Sequence, residues 1–339
     1  MPGINRDPGE GKVGLFGSAG RWEGLIACPL TPYDDAGELD AATYAKQLEF
    51  LLGAGFTALC PLMHAGESLN LSFAERREVS SLTVSAAGRA PVVAHVSCPG
   101  TDHTVALARQ AQSVGAAAVI ATTPYHWHPG DAGLLAHFSA VAEAVDISVL
   151  AYSPPPSAGT PLTPRLVGEL ISRHPNFLGL KEASNDVTAF GGFARSAAAL
   201  RADFSVLGGI EYTLAQRALG GAGSFSILAL VAPRLVRELW TATVQGEFER
   251  AAGLQDRVSR LLSLFIPRYP AGLKAAAALM GRPLGPTRLP IPPLDPAETQ
   301  ALARALEETG ITAQEPYGWD PQGDPDPERF RRGSSPVAA

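Results

Sequence analysis

Eight short apolar runs recur along this chain, and most of the gaps between them carry helical spacing. The runs are GLIACPL (24–30), TALCPLM (57–63), PVVAHV (91–96), AAVIATTP (117–124), ISVLAYS (147–153), FLGLKEA (177–183), FSVLGG (204–209) and GSFSIL (223–228). Between them, LDAATYAKQLEFLLGAG places apolar residues three and four apart and ends on glycine. SFAERREVSSLTVSAAG opens with a serine cap and an acid three residues on, and TDHTVALARQAQSVGA and TPRLVGELISRH repeat the theme. Near-continuous apolar strands alternating with helices imply a parallel sheet covered on both faces. Eight such units in a row imply an α/β fold, a (β/α)8 TIM barrel. A doubly wound sheet would carry a glycine-rich phosphate fingerprint after its first strand. CPLTPYDD stands there instead.

After the eighth run the helical pattern continues through PRLVRELWTATVQGEFERAAGLQDRVSRLLSLF, LKAAAALMG and PAETQALARALEETG, interrupted by proline. The reading is a barrel over residues 21–232 and a C-terminal helical extension over 233–312. Residues 1–20 and 313–339, rich in Gly, Pro, Asp and Ser, read as flexible segments.

The 339 residues are 46% hydrophobic and 18% charged, enough to bury a large core. A net charge of −6 argues against nucleic acid or an anionic membrane as partner. No apolar run reaches membrane-spanning length. Three scattered cysteines, Cys28, Cys60 and Cys98, suit reduced thiols in a cytoplasm. Of 27 basic residues only four are lysine: Lys12, Lys46, Lys181 and Lys274. Lys12 lies in the Gly-rich leader and Lys46 on an amphipathic helix. Lys181 and Lys274 need a reason.

Lys181 sits inside the apolar run FLGLKEA. Burying an ammonium is costly unless it is paired or loses its proton, and a neutral amine is a nucleophile. Barrel active sites lie at the carboxyl ends of the strands. Reactive residues predicted there are His64, Glu67 and Ser68 after strand two, and His95, Ser97 and Cys98 after strand three. Strand four contributes Thr122, Thr123, Tyr125, His126 and His128, and strand five Tyr152 and Ser153. A desolvated Lys181 would attack a carbonyl to form a Schiff base, an electron sink that needs no cofactor. Tyr152 on the preceding strand is placed to shuttle protons. Side chains alternate along a strand, so with Lys181 in the lumen Glu182 faces the helices. None of these strand ends carries an arginine. A substrate carboxylate would rely on backbone N–H groups of the turn HAGES, from Ala65, Gly66 and Glu67.

These residues, taken in order, resemble the dihydrodipicolinate synthase/N-acetylneuraminate lyase family of class I aldolases. The resemblance is carried by CPLTPYDDAGELD, HAGES, TPY, Tyr152, GLKEAS, YPAGLKAAAALMG and GPTRLPIPPL, and covers roughly residues 22–312. It implies Lys181 as the Schiff-base lysine, Tyr152 as the proton-transferring tyrosine and a 2-oxo acid, usually pyruvate, as substrate. It also implies a homotetramer or homodimer. The departures are specific. A family threonine pair falls at His64 and Ala65, and a second tyrosine after Tyr125 falls at His126. The arginine that grips a second carboxylate falls at Ser157, which argues against the synthase itself. Phe225 stands where a small aliphatic is common and narrows the pocket. Catalytic roles are therefore expected for Lys181, Tyr152, His64 and His126. Substrate contacts are expected from Ala65, Gly66, Glu67, Tyr125, Ser157, Gly209 and Phe225.

The reading is a lyase, aldolase or dehydratase, acting on a 2-oxo acid and, for an aldolase, an aldehyde. A hydratase-aldolase of an aromatic or sugar-derived 2-oxo acid fits the same residues. Two other classes stay open: a metal enzyme using His126, His128, His64 and His95, and a catalytically silent 2-oxo acid binding protein. Blander roles are a packed aromatic for Tyr152, structural histidines at His95 and His128, a turn hydrogen bond for Glu67 and a structural lysine at 274.

Overall fold

A computed structural model describes residues 21–334. All eight apolar runs contain strands: β1 (Gly24–Ala27), β2 (Ala58–Leu59), β3 (Val93–His95), β4 (Ala118–Thr122), β5 (Ser148–Ser153), β6 (Phe177–Glu182), β7 (Ser205–Gly208) and β8 (Gly223–Ser226). They form one parallel sheet in the order β2-β1-β8-β7-β6-β5-β4-β3, and a parallel bridge between Leu59 and Val92 brings its edges together. The helices that follow the strands are α1 (Ala41–Gly53), α2 (Phe73–Ala87), α3 (Thr101–Ser113), α4 (Gly130–Glu143), α5 (Pro164–Arg173), α6 (Val187–Leu200), α7 (Thr213–Ala218) and α8 (Pro233–Gln245). The chain is thus the expected TIM barrel, and α8, packed beside α7 and over β1, completes it.

Local chemistry starts these helices where the sequence signals them. Ser72 and Glu75 form a reciprocal capping box on α2, and Thr163 precedes the Pro164 that opens α5. Strand parity then divides the core. Ile26, Ile120, Leu150, Tyr152, Leu207 and Phe225 belong to one buried cluster, in the lumen. Their neighbours of opposite parity, such as Val119, Ala151, Leu180 and Val206, belong to a second, under the helices.

The C-terminal extension adds α9 (Phe248–Phe265), α10 (Ala271–Leu279), α11 (Pro296–Glu308) and α12 (Pro327–Ser334). The flexible tail expected over 313–339 is corrected here: residues 313–334 are folded onto the rest of the chain, with α12 against α10 and α11. The Glu315 carboxylate accepts the backbone N–H groups of Arg234 and Leu235, capping α8 from far along the sequence. The fully buried Arg282 guanidinium donates to the carbonyls of Pro316 and Gly318 at 2.8 and 2.7 Å, and Phe330 is buried. A segment poor in apolar residues is held by these few anchors. The expected flexible leader, residues 1–20, and the last five residues of the tail lie outside the described residues. No helix among the described residues is long and apolar enough to cross a membrane.

Candidate active site

Lys181 lies in β6 with Tyr152 as its register partner in β5 and Leu207 as its partner in β7. All three therefore point into the lumen. The lysine is 4% exposed, and its Nζ stands 3.7 Å from the centre of the Tyr152 ring and 5.4 Å from that of Phe225. It makes no salt bridge among the described residues. Burial pushes its pKa down to about 8. Glu182 faces the helix layer, as alternation requires, and its carboxylate accepts the Ser184 N–H. The thiols of Cys28 and Cys60 are buried and uncharged, Cys28 raised to about 12 by desolvation. The site is an amine on an aromatic bed inside an apolar tube.

Past β2 the chain makes a 3-10 turn, His64–Gly66, that brings the His64 ring to 5.5 Å from the Tyr152 ring. His64 Nε2 lies 3.1 Å from the Tyr125 hydroxyl. Burial, helped by the charge of Lys181, lowers the His64 pKa to about 4. The imidazole is therefore neutral near pH 7 and available as a base. Burial raises the Tyr152 phenol well above the ordinary tyrosine range, so it keeps its proton until a partner takes it. Lys181, Tyr152, His64, Tyr125 and Phe225 are thus brought together at the carboxyl ends of five different strands.

The same architecture is found in proteins already known. Residues 21–309 match the sequence pattern of the Dihydrodipicolinate synthetase family. The chain belongs to that family. Among curated relatives, the 4-hydroxy-tetrahydrodipicolinate synthase of Methanosphaerula palustris is 37% identical over 290 residues, 84% of this chain and 98% of its own. That of Agrobacterium fabrum is 34% identical over 294 residues, 86% of this chain and 99% of its own. Among solved structures, dihydrodipicolinate synthase from Aquifex aeolicus superposes with a TM-score of 0.81 at 29% identity, over 86% of this chain and 99% of its own. YagE, a family member from E. coli K12 solved in complex with pyruvate, superposes with a TM-score of 0.82 at 26% identity, over 85% and 99%.

Within this family frame, several expected roles change. Glu67 is not free to meet substrate: its side chain is fully buried, pairs with Lys274 Nζ at 2.7 Å, and accepts the Arg288 N–H at 2.8 Å. The expected row of N–H donors is also partly committed. The Gly66 N–H goes to the Met63 carbonyl and the Glu67 N–H to that of His64, within the turn. No backbone carbonyl takes up the Ala65 N–H among the described residues. Gly209 donates its N–H to the Glu182 carbonyl, and a Cβ there would lie 2.2 Å from that of Ala183. A side chain is excluded there because the chain leaving β7 approaches the end of β6 too closely. Ser157 is exposed on the β5–α5 loop. His126, on the exposed rim of the β4–α4 loop with φ 70°, packs on Trp127 and has no hydrogen bond to Tyr152 or His64 among the described residues. The catalytic role expected for it is not built into this chain's own site. The four histidines weighed as a metal set do not converge, since His128 bonds Thr160 instead.

Sequence reasoning placed His95 and Ser97 at the end of strand three without pairing them, and left Arg76 unassigned. His95 and Ser97, two apart on the strand-three run, share the lumen face, and Ser97 Oγ stands 2.6 Å from His95 Nε2. Their equal parity was the available signal. Arg76 reaches from α2 to bond Cys98 Sγ and the Ser97 carbonyl, and only its distance in sequence hid it.

Proposed function

We propose that this protein is a class I lyase that captures a 2-oxo acid, pyruvate being the simplest, as an imine on Lys181. The observation that carries the reading is an amine buried without an anionic partner among the described residues, its pKa lowered to about 8, against the face of a tyrosine that keeps its proton. The family membership and the neighbour solved with pyruvate point the same way.

The Lys181 amine adds to the C2 carbonyl carbon, and the carbinolamine loses water to give the imine. Tyr152 supplies the proton that lets the hydroxyl leave as water. The protonated imine then draws electrons from C3, and loss of a C3 proton gives the enamine that makes or breaks the bond to a second carbonyl compound. Neutral His64, 5.5 Å from Tyr152 between ring centres, is the base beside this chemistry. The β5–α5 loop holds Ser157 and no arginine, so the second compound is a neutral or aromatic aldehyde rather than a dicarboxylate.

Borohydride reduction with pyruvate, read by peptide mass spectrometry, tests this. A reduced adduct on the Lys181 peptide is expected. An adduct elsewhere, or none with pyruvate or other 2-oxo acids, sinks the reading. The rate of capture should rise with pH through about 8 and level above it, because only the unprotonated amine attacks. His64, at about 4, adds no limb near neutrality. An adduct without exchange of the pyruvate methyl protons in D2O would mark a binding protein instead.

A further inference from the structure

Glu182 ends β6 with its side chain on the helix-facing side of the sheet, 2% exposed. Its Oε1 accepts the Ser184 N–H at 2.6 Å, while Oε2 is buried with no hydrogen-bond partner among the described residues. Gln216, from α7, brings a second bare acceptor to the same place. Its Nε2 donates to the Ile210 carbonyl at 3.2 Å, and because a carbonyl only accepts, that contact fixes which end of the amide is nitrogen. The other end, Oε1, is buried without a partner among the described residues. It lies against β7, where a Cβ built on Gly208 would stand 1.8 Å from it. Gly208 is the register partner of Glu182. The amide oxygen therefore occupies the space of a neighbouring side chain on the same face of the sheet, one strand spacing of ~4.8 Å from the glutamate's strand.

Buried acceptors left without donors are costly, and folded chains normally avoid them. Here both line a cavity of about 310 Å3 between α6 and α7, at the small end of the range for ligand pockets. Val187, Phe190 and Leu219 give it apolar walls, and the exposed Asp186 adds a second carboxylate. No cationic side chain lines it. We propose that this cavity binds a primary amine carried on a short apolar stem. The ammonium has three protons to give, and the two bare oxygens accept two of them. The stem covers the apolar walls, which a water molecule meeting the same oxygens would leave uncovered. An anionic ligand would face two carboxylates, and an alcohol has one proton for two acceptors. β6 presents Lys181 to the lumen on its opposite face, so the cavity lies outside the barrel interior and does not depend on the imine.

Isothermal titration of the full chain with 2-phenylethylamine, in the absence of any 2-oxo acid, tests this. One amine per chain is expected, with a dissociation constant in the millimolar range or tighter. 2-Phenylethanol and phenylacetate, of the same size, should bind at least about tenfold more weakly. Ala215→Trp, at an exposed position of α7 that lines the cavity, should fill it and abolish binding, with a circular dichroism spectrum matching the wild type. Glu182→Gln should weaken the amine by about tenfold or more. Should that variant fail to fold, Ala215→Trp and the alcohol decide. No saturable binding of the amine, equal binding of the alcohol, or binding that survives Ala215→Trp overturns the proposal. Dissociation of an oligomer as amine is added, read by sedimentation, also overturns it, because the cavity would then belong to an interface between copies of this chain. Absence of a pyruvate adduct counts against the imine reading alone and leaves the titration intact.

Discussion

Replacing Lys181 with alanine is expected to end adduct formation and to lower turnover by roughly 10⁴-fold or more, since no other group can take the place of a covalent nucleophile. Arginine should fail equally: it keeps the charge but cannot shed its proton. His64→Ala should behave differently, retaining pyruvate capture on Lys181 while losing about a hundredfold in turnover, the contribution of a positioned base. Stability supplies a second readout. The Lys181 amine titrates at about 8 in the folded chain, against 10.5 when solvated. Below about pH 8 it is protonated in both states, and burial disfavours the folded one by roughly 3 kcal/mol. That penalty fades as pH rises from 8 toward 10.5. Lys181→Met, which fills the same space without a charge, should therefore raise the urea midpoint at neutral pH while abolishing activity, and the gain should vanish in alkaline buffer. An unchanged or lowered midpoint at pH 7 would show that the amine is not held against a desolvation cost.

The barrel was legible because its signal is repeated. Strands buried on both faces must be nearly all apolar, and eight such runs leave few alternatives. Parity within a run was equally readable: the separation of Lys181 from Glu182 follows from alternation alone. What escaped were interactions between residues far apart in sequence. Nothing near Glu315 indicates that its carboxylate caps α8, so a polar, proline-rich end read as a tail. His126 follows Tyr125 directly, and spacing alone suggested a second catalytic group. The rim loop turns there through a positive φ and carries it outward. His95 and Ser97 were visible one by one, but their pairing also engages Leu62 and Thr122, whose contributions are backbone atoms without a residue signature.

Glu67 is the sharpest case of this kind, and breaking its ion pair should cost about 4 kcal/mol of stability. Its Oε1 meets Lys274 Nζ at 2.7 Å, and the side chains are 0% and 4% exposed. Lys274 also donates to the Pro286 carbonyl and lies over the Tyr33 ring, while the other Glu67 oxygen accepts the Arg288 N–H. The pair thus ties the turn that carries His64 to α10 and to the segment before α11. Two charges taken from water repay their desolvation only through each other, so removing one leaves the other stranded. Glu67→Gln and Lys274→Met should each lower the urea midpoint by an amount matching about 4 kcal/mol. The double variant Glu67→Met/Lys274→Met should recover most of the loss, because it strands no charge. Recovery should not extend to catalysis, since the turn would lose the carboxylate that fixes it to Arg288 and His64 would lose its placement. Additive losses in the double variant would show that the two residues act separately and that the turn is held by its backbone hydrogen bonds instead.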